Sequence, residues 1–286
     1  MRHGFILIDK PLGPTSHDAV ATVRRVLAEK KIGHLGTLDP LASGLLVLAV
    51  GSKALKIVEL FSKLSKEYEA LVKLGAVSTT YDAAGVVEEV PLKSGNEPPT
   101  DVNLRQVVAQ RFVGTIEQVP PAHSAIRVSG QRAYDIARKG GTPELAARTI
   151  EIQKCEVLSY EYPNVRLKVA CGAGTYIRSL AHDLGSVLRT GGYLAELRRT
   201  KVGEWDVKDA CKPEDAAWTR VIPMKDLLTE YPRIDVTQEE MKKISYGQGI
   251  IRDIREGTIA WFEDLPVALV EPARDGSREA RPRKVF

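Results

Sequence analysis

The residues most able to do chemistry lie in one short stretch, KIGHLGTLDPLASGLL, residues 31–46, which carries His34 and Asp39. Gly36, Pro40 and Gly44 fence the aspartate, and small residues of this kind let a ligand approach the backbone closely. A carboxylate in such a loop can act as a nucleophile or a base, provided it stays ionised. An aspartate before a proline is equally a turn-former, because the pre-proline position is pushed toward extended backbone. Taken alone, the stretch favours the turn. Lys10 and Pro11, in DKPLG, read on their own as ordinary strand-exit residues.

Arg178 is the next candidate. The spacing of Ile177, Leu180, Ala181, Leu184 and Leu188 predicts an amphipathic helix in GAGTYIRSLAHDLGSVLR, with Thr175 as its cap and Arg178 off the core face in the first turn. A cation there opposes the helix dipole, so it should have an anionic partner, a carboxylate or a phosphate. The Gly-x-Gly before it is too weak a signal to assign phosphate binding. Tyr68 falls on the apolar side of an alternating strand, where a tyrosine is usually a core residue with a satisfied hydroxyl. Asp82, in STTYDAAG, orders a turn in the simplest reading. Two basic stretches complete the set. HSAIRVSGQRAYDIARKGG groups Arg127, Arg132, Arg138 and Lys139 around Tyr134, and LRRTK adds Arg198, Arg199 and Lys201. Basic residues with an interleaved aromatic suit an RNA backbone, although solvated basic loops are common.

The elements that must position these residues follow from periodicity. FILID reads as a short buried strand. Residues 16–29 read as a helix capped by Ser16, with Val20, Val23, Val26 and Leu27 on one face. The chemistry-bearing loop then runs into the strand LLVLAVG and a second helix over 53–64. KEYEALVKLG alternates with period two, placing Tyr68, Ala70, Val72 and Leu74 on one side. VVEEV is a further strand. GNEPPTD is a proline-rich break before a helix over 104–112. Residues 118–147 form an exposed basic excursion with a short helix at 133–138. Two long strands, RTIEIQKCEVLSYEY and NVRLKVAC, precede the Arg178 helix, and YLAELRRTKVGEW is another strand. Strands dominate in an irregular order with helices. The expected class is therefore α+β, a mixed and mostly antiparallel central sheet flanked by helices. After residue 228 short strands separated by REGT, EDLP and RDGSREARP suggest a small β-rich unit over 229–286 beside a larger one over 1–228.

Bulk properties bound the rest. The chain has 286 residues, 43% of them hydrophobic and 27% charged, enough for a sizeable core. A net charge of +4 is compatible with a nucleic-acid partner without requiring one. No apolar run is long enough for a bilayer, and the start lacks signal-peptide features, so a cytoplasmic protein without membrane contact is expected. Cys155, Cys171 and Cys211 lie far apart, which fits reduced thiols and gives no zinc-ligand spacing. A monomer is expected, because no apolar stripe is left for a partner.

Taken in order, GHLGTLDPLASGLL, KEYEALVKLG, STTYDAAG, VPPAHSAIRVSGQRAYDIARKG, CGAGTYIRSLAHDLG and LRRTKVG resemble the TruB family. These are the bacterial-type tRNA pseudouridine synthases that modify uridine 55 in the TΨC arm. The resemblance extends from GFILIDKPLGPTSHD to KVGEW, most of the chain, and more weakly to a PUA-like C-terminal domain. It implies the pseudouridine synthase fold, an isomerase that needs no cofactor or metal, and tRNA (the TΨC stem-loop) as partner with no obligatory protein partner. Asp39 matches the family's essential aspartate, and Arg178 the arginine that pairs with it. Tyr68 matches the tyrosine that stacks on the target base, and His34 the histidine that helps extrude the nucleotide. Lys10 and Pro11 match a supporting Lys-Pro pair. Asp82 matches the acid of a Thr-x-Thr-x-Asp-x-x-Gly turn, read here as Ser78, Thr80, Asp82 and Gly85, while Tyr176 and Leu197 match pocket-lining positions. Departures are His123 for an aromatic, Arg127 for a lysine and Ser78 for a threonine. The long SGQRAYDIARKG excursion, and the lack of the extensions of guide-RNA-dependent relatives, imply a stand-alone enzyme.

Overall fold

The computed structural model describes residues 3–92, 97–124, 126–128, 130–273 and 277–286. Strand β1 (Gly4–Lys10) leads to helix α1 (Ser16–Leu27), a short strand β2 (Ile32–Leu35), β3 (Ala42–Val50) and α2 (Ser52–Ile57), which tightens into a 3-10 turn over Val58–Phe61. Next come β4 (Lys66–Leu74), the hairpin of β5 (Ala76–Ser78) and β6 (Val87–Glu89), α3 (Asp101–Arg111) and β7 (Gly114–Gln118). A second hairpin, β8 (Arg127–Val128) and β9 (Gln131–Arg132), opens into α4 (Ala133–Arg138). The chain continues through β10 (Arg148–Glu161), β11 (Asn164–Cys171), α5 (Ile177–Val187), β12 (Gly192–Val202), β13 (Trp205–Asp206), β14 (Ile222–Pro223) and α6 (Met224–Leu227). The last elements are β15 (Arg233–Asp235), α7 (Gln238–Ser245), β16 (Ile250–Ile251), β17 (Thr258–Phe262), β18 (Leu265–Pro272) and β19 (Glu279–Val285).

Among the described residues the main sheet runs β14-β1-β3-β12-β4-β11-β10-β7, with β2 on β3 and β13 on β12. All its pairings are antiparallel except β12 with β3. The centre is β3, whose side chains are buried on both faces: Leu46, Leu48 and Val50 join the core under α1 and α5, and Leu45, Val47 and Ala49 the opposite one. Double burial explains why this strand is a continuous apolar run, while β4, wetter on one side, alternates. A second sheet, β15-β17-β18-β19-β16, sends Ile259, Trp261 and Leu269 into the same layer as Leu45 and Val47. Its last strand is tied to the first sheet's α2 region by Lys284 Nζ donating to Lys56 O at 2.9 Å, and by Glu59 pairing with Arg283 and Lys284. No helix among the described residues is long and apolar enough to cross a membrane.

The structure gives the expected α+β architecture and differs locally for identifiable reasons. Helix α1 is capped by Thr15, which with Asp18 forms a reciprocal capping box, so Ser16 is not the cap. The helix ends at Leu27, with Ala28 left-handed, and Val26 faces solvent rather than the core. The expected loop before Asp39 contains β2, because residues 32–35 pair with β3. The second helix stops at Ile57 and continues only as a 3-10 turn. VVEEV shortens to an exposed three-residue strand. Thr175 does not cap α5: Tyr176 holds that position, and the side chain of Gln118 accepts from its N–H at 2.8 Å and donates to its carbonyl at 3.0 Å. A strand end therefore caps the helix from outside. Parts of the GNEPPTD break, the HSAIRVSG segment and the RDGSREARP turn lie outside the described residues.

Candidate active site

The loop between β2 and β3 is fixed from three sides by groups that bind its backbone. Buried Ser16 donates its hydroxyl to Leu38 O and accepts from Leu38 N–H, both at 2.8 Å. Lys10, with no exposed surface, donates Nζ to Pro11 O at 2.8 Å and Pro14 O at 2.7 Å, and the turn it holds binds Pro40 O through Gly13 N–H at 2.9 Å. Burial pulls the Lys10 ammonium below its ordinary pKa, and the nearby carboxylates of Asp39 and Asp18 oppose that fall. Arg199 binds from the third side, with Nε to Leu45 O at 2.7 Å and an Nη to Gly36 O at 3.0 Å. The turn itself is closed by main chain, Ala42 N–H to Asp39 O at 2.9 Å. The Asp39 carboxylate is therefore not used by its own turn.

That carboxylate meets Arg178, Nε to Oδ2 at 3.1 Å. The arginine is far from a surface cation: its side chain is 8% exposed, against 45% for Asp39. One Nη lies 3.6 Å from Asp82 Oδ2 and donates to Thr80 O at 3.4 Å, and the other donates to His123 O at 3.0 Å. Asp82 is buried and held by Thr80 Oγ1 at 2.6 Å and Ala84 N–H at 3.0 Å. Ser78 donates its hydroxyl to Asp82 O. The turn is packed so tightly that a Cβ at Gly85 would sit 2.5 Å from the Ser78 and Thr80 oxygens. The anionic partner inferred for Arg178 is thus a pair of carboxylates. One guanidinium is shared between two carboxyl groups, of which Asp39 is the one that faces solvent.

Tyr68, on β4, is buried, and β12 sets Arg199 directly across from it. Burial raises the phenol's pKa, and the neighbouring Arg199 opposes that rise. His34, on β2, is half-buried edge-to-face with His17, ring centroids 5.5 Å apart. Burial, then the charges of His17 and Arg199, push its pKa down, so the ring is neutral at neutral pH. Tyr176 is half-buried at the head of α5; burial raises its pKa, opposed by Ser124 and Arg178. Leu197 lies with Leu12, Leu41, Ser43 and Ala70 along a cleft of about 250 Å³ that adjoins the loop without including Asp39. Pro11 is exposed beside it.

The basic excursion joins the site at its base. Its stem supplies Gln118 to Tyr176, Val119 O to the Ser179 hydroxyl at 2.7 Å, and His123 O to Arg178. The contact from His123 to Arg178 is through its carbonyl. At the tip, Arg132 and Arg138 flank the Tyr134 ring at 5.8 and 5.3 Å, and Arg127 is exposed. Two residues of the other basic stretch behave differently from expectation. Arg198 is held bidentate by Asp9 at 2.8 and 3.0 Å, and Arg199 is a buried structural cation rather than surface charge. Ser16, expected only as a helix cap, Arg199, expected only as part of a basic stretch, and Gln118, not expected at all, are the further residues that anchor the site's backbone. For Arg199 a signal existed, since it shares strand parity with the inward-facing Leu197.

Residues 24–177 match the pattern of the TruB family pseudouridylate synthase N-terminal domain, and residues 178–231 that of the tRNA pseudouridylate synthase B C-terminal domain. The tRNA pseudouridine synthase B of Mycobacterium sp. (strain KMS) is 42% identical over 255 residues, covering 86% of this chain and 84% of the relative. That of Thermobifida fusca (strain YX) is 38% identical over 291 residues, covering 98% and 97%. Among solved structures, a Cbf5-Nop10-Gar1 complex aligns with a TM-score of 0.70 at 27% identity, over 99% of this chain and 84% of the matched chain.

Proposed function

The chain belongs to the TruB family of pseudouridylate synthases, and on that premise we propose that it isomerises uridine to pseudouridine in tRNA, at position 55 of the TΨC loop. The observation that carries the reading is Asp39, half-exposed on the loop that adjoins the cleft, held at 3.1 Å by an arginine that a second, buried carboxylate also engages. The reaction breaks the bond from ribose C1′ to N1 and remakes it from C1′ to C5. C5 gives up a proton and N1 ends with one, so no electrons are gained or lost. Both routes open to the carboxylate, attack on C1′ and removal of a ribose proton, require it ionised. Arg178 stands against the carboxylate, Nε to Oδ2 at 3.1 Å. Because Asp82 shares the guanidinium, the Asp39 side chain stays one partner short and free to reach the substrate.

The target base is stacked in an RNA loop and must be turned out, at a cost of a few kcal/mol. In this reading the neutral His34 fills the vacated place, Tyr68 stacks on the extruded base, and Tyr176 and Leu197 line its pocket. Lys10 and Pro11 shape the loop 11–14 that braces Pro40. Arg127, Arg132, Tyr134 and Arg138 of the excursion meet the RNA backbone, with Arg198 at the cleft edge. Residues 1–228 form the catalytic part. Residues 229–286, which expose Tyr246 near Lys242 and Lys243, form a small PUA-like RNA-contacting unit. The enzyme is a cytoplasmic monomer that acts on tRNA without a guide RNA or protein partner.

The test is incubation of the purified chain alone with unmodified tRNA, followed by site-specific detection of pseudouridine. Pseudouridine at position 55 is the expected product. Binding without conversion would point to an RNA-folding protein on this fold, and conversion only with added guide RNA to a guided enzyme; either result overturns the proposal.

A further inference from the structure

We propose that Arg199 is a positioning residue of this reaction, acting on catalysis through the hydroxyl of Tyr68. The inference rests on the reading that Tyr68 meets the flipped base.

Arg199 is among the largest fully buried side chains, 1% exposed, and among the described residues it has no carboxylate within ion-pairing distance. A buried cation without an anion is costly, so its contacts must be good ones. Two are backbone carbonyls, Leu45 O and Gly36 O, which fix the guanidinium on one edge. Strand register supplies the rest: Arg199 stands opposite Gly44 on β3 and opposite Tyr68 on β4. Gly44 has φ of +98°, and a Cβ there would lie 2.3 Å from Arg199 O. The absent side chain at Gly44 is thus what lets β12 come close enough for the arginine to reach under the loop. With one edge on the carbonyls, the guanidinium shares a cross-strand position with Tyr68, and its charge opposes the rise that burial causes in the phenol's pKa.

The chemistry is directional. A guanidinium has donors and no acceptor, so any hydrogen bond between the two groups uses a lone pair of the phenol oxygen. The phenol's own O–H is then left for the pocket, where the base lies. Arg199 therefore decides which way Tyr68 presents its proton, and its charge eases the phenol's ionisation against the burial that opposes it.

The experiment compares Arg199→Met, Arg199→Lys and Tyr68→Phe, with both double variants, in the full chain. Single-turnover pseudouridine formation is measured at saturating unmodified tRNA, together with tRNA affinity. Arg199→Met is expected to slow the reaction about 100-fold with affinity unchanged, the scale of loss when a catalytic group is misplaced. On the Tyr68→Phe background the same change should cost clearly less than it does alone, because only its hold on Gly36 O and Leu45 O is then left to lose. Titration of the ¹³Cζ resonance of Tyr68, assigned by its absence in Tyr68→Phe, should move to higher pH in Arg199→Met. Losses that multiply, or a Tyr68 titration that does not move, would overturn the proposal and leave Arg199 a purely structural staple. If Arg199→Met does not fold, Arg199→Lys and its double variant carry the same comparison, since a single ammonium cannot span two carbonyls and a phenol. Wild-type chain that made no pseudouridine would instead sink the reading of the reaction, and the Tyr68 titration would still decide the arginine's effect.

Discussion

Two adjacent hydroxyls, Thr15 and Ser16, offer a sharp separation of fold from function. Thr15 caps α1 at the exposed surface, accepting from Asp18 N–H at 3.1 Å. Replacing it with alanine should cost about 1 kcal/mol, the ordinary price of a lost cap. Ser16 is buried and clasps Leu38 twice, so Ser16→Ala leaves one N–H and one C=O of a buried residue unpaired. Each orphan costs about 1–3 kcal/mol, giving about 2–6 kcal/mol in all. A chain of this size loses about 2 °C of Tm per kcal/mol, so the expected fall is about 4–12 °C. The catalytic effect should separate them further. Leu38 is the residue before Asp39, and freeing its peptide loosens the carboxylate relative to Arg178, with an expected rate loss of about 10-fold or more. Thr15→Ala should leave the rate unchanged. Denaturant melts and single-turnover conversion of tRNA at saturation check both arms. Equal rate losses for the two variants, or a Ser16→Ala protein as fast and as stable as wild type, would refute the idea that the Ser16–Leu38 clasp positions Asp39.

Three further outcomes are expected. Asp39→Asn should abolish pseudouridine formation while tRNA affinity by filter binding stays near wild type, because Arg178 keeps Asp82, Thr80 O and His123 O; residual turnover would remove Asp39 from the mechanism. Gly44→Ala should give little folded protein by circular dichroism, since it adds a methyl 2.3 Å from the Arg199 carbonyl at a left-handed φ; a well-folded variant would show that β12 can shift away. Asp183, at the solvent-screened edge of α5, has its carboxyl pushed up to about 6 by burial. Its folded pKa exceeds the unfolded one, so the neutral acid's contribution is fully present below about pH 4 and lost as pH rises through about 6. Asp183→Asn should therefore gain about 1–2 kcal/mol at pH 8 and almost nothing at pH 4, read from urea melts at the two values; equal shifts at both would place the effect outside titration.

Much of the fold was legible because local pattern and tertiary setting agree. The alternation of β4 and the unbroken apolar run of β3 each report how many faces of the strand are buried, and the structure buries one and two. The helix start was misread where they disagree. Thr15 and Ser16 are both good caps, and only the docking of the 36–44 loop decides which hydroxyl is spent on Leu38. Strand β2 carries no strand signal in IGHL, since its conformation comes from pairing with β3. For the site, the dipole conflict at Arg178 was enough to require an anion, though not to choose Asp39 and Asp82 from among 37 acidic residues. Of the two arginines in LRRTK, strand parity points Arg199 inward and Arg198 outward, and charge alone hid that difference.

The two readings of Asp39, turn-former and reactive carboxylate, turn out to be parts of one arrangement. An aspartate that capped its own turn would spend its oxygens on local N–H groups. Here the turn closes through Asp39 O and Ala42 N–H, and the loop is held by Ser16, the Lys10-braced segment and Arg199, all acting on main-chain atoms. Every fastening that the loop needs is thus met without the Asp39 side chain. That leaves the carboxylate with one strong partner, Arg178, whose charge it shares with Asp82. A group fixed in position by its backbone yet only partly neutralised is what a substrate-facing nucleophile or base requires. The positioning of Asp39 is therefore a property of the carbonyls and N–H groups around it, and substitutions at those anchors should act on rate even though none of them touches the RNA.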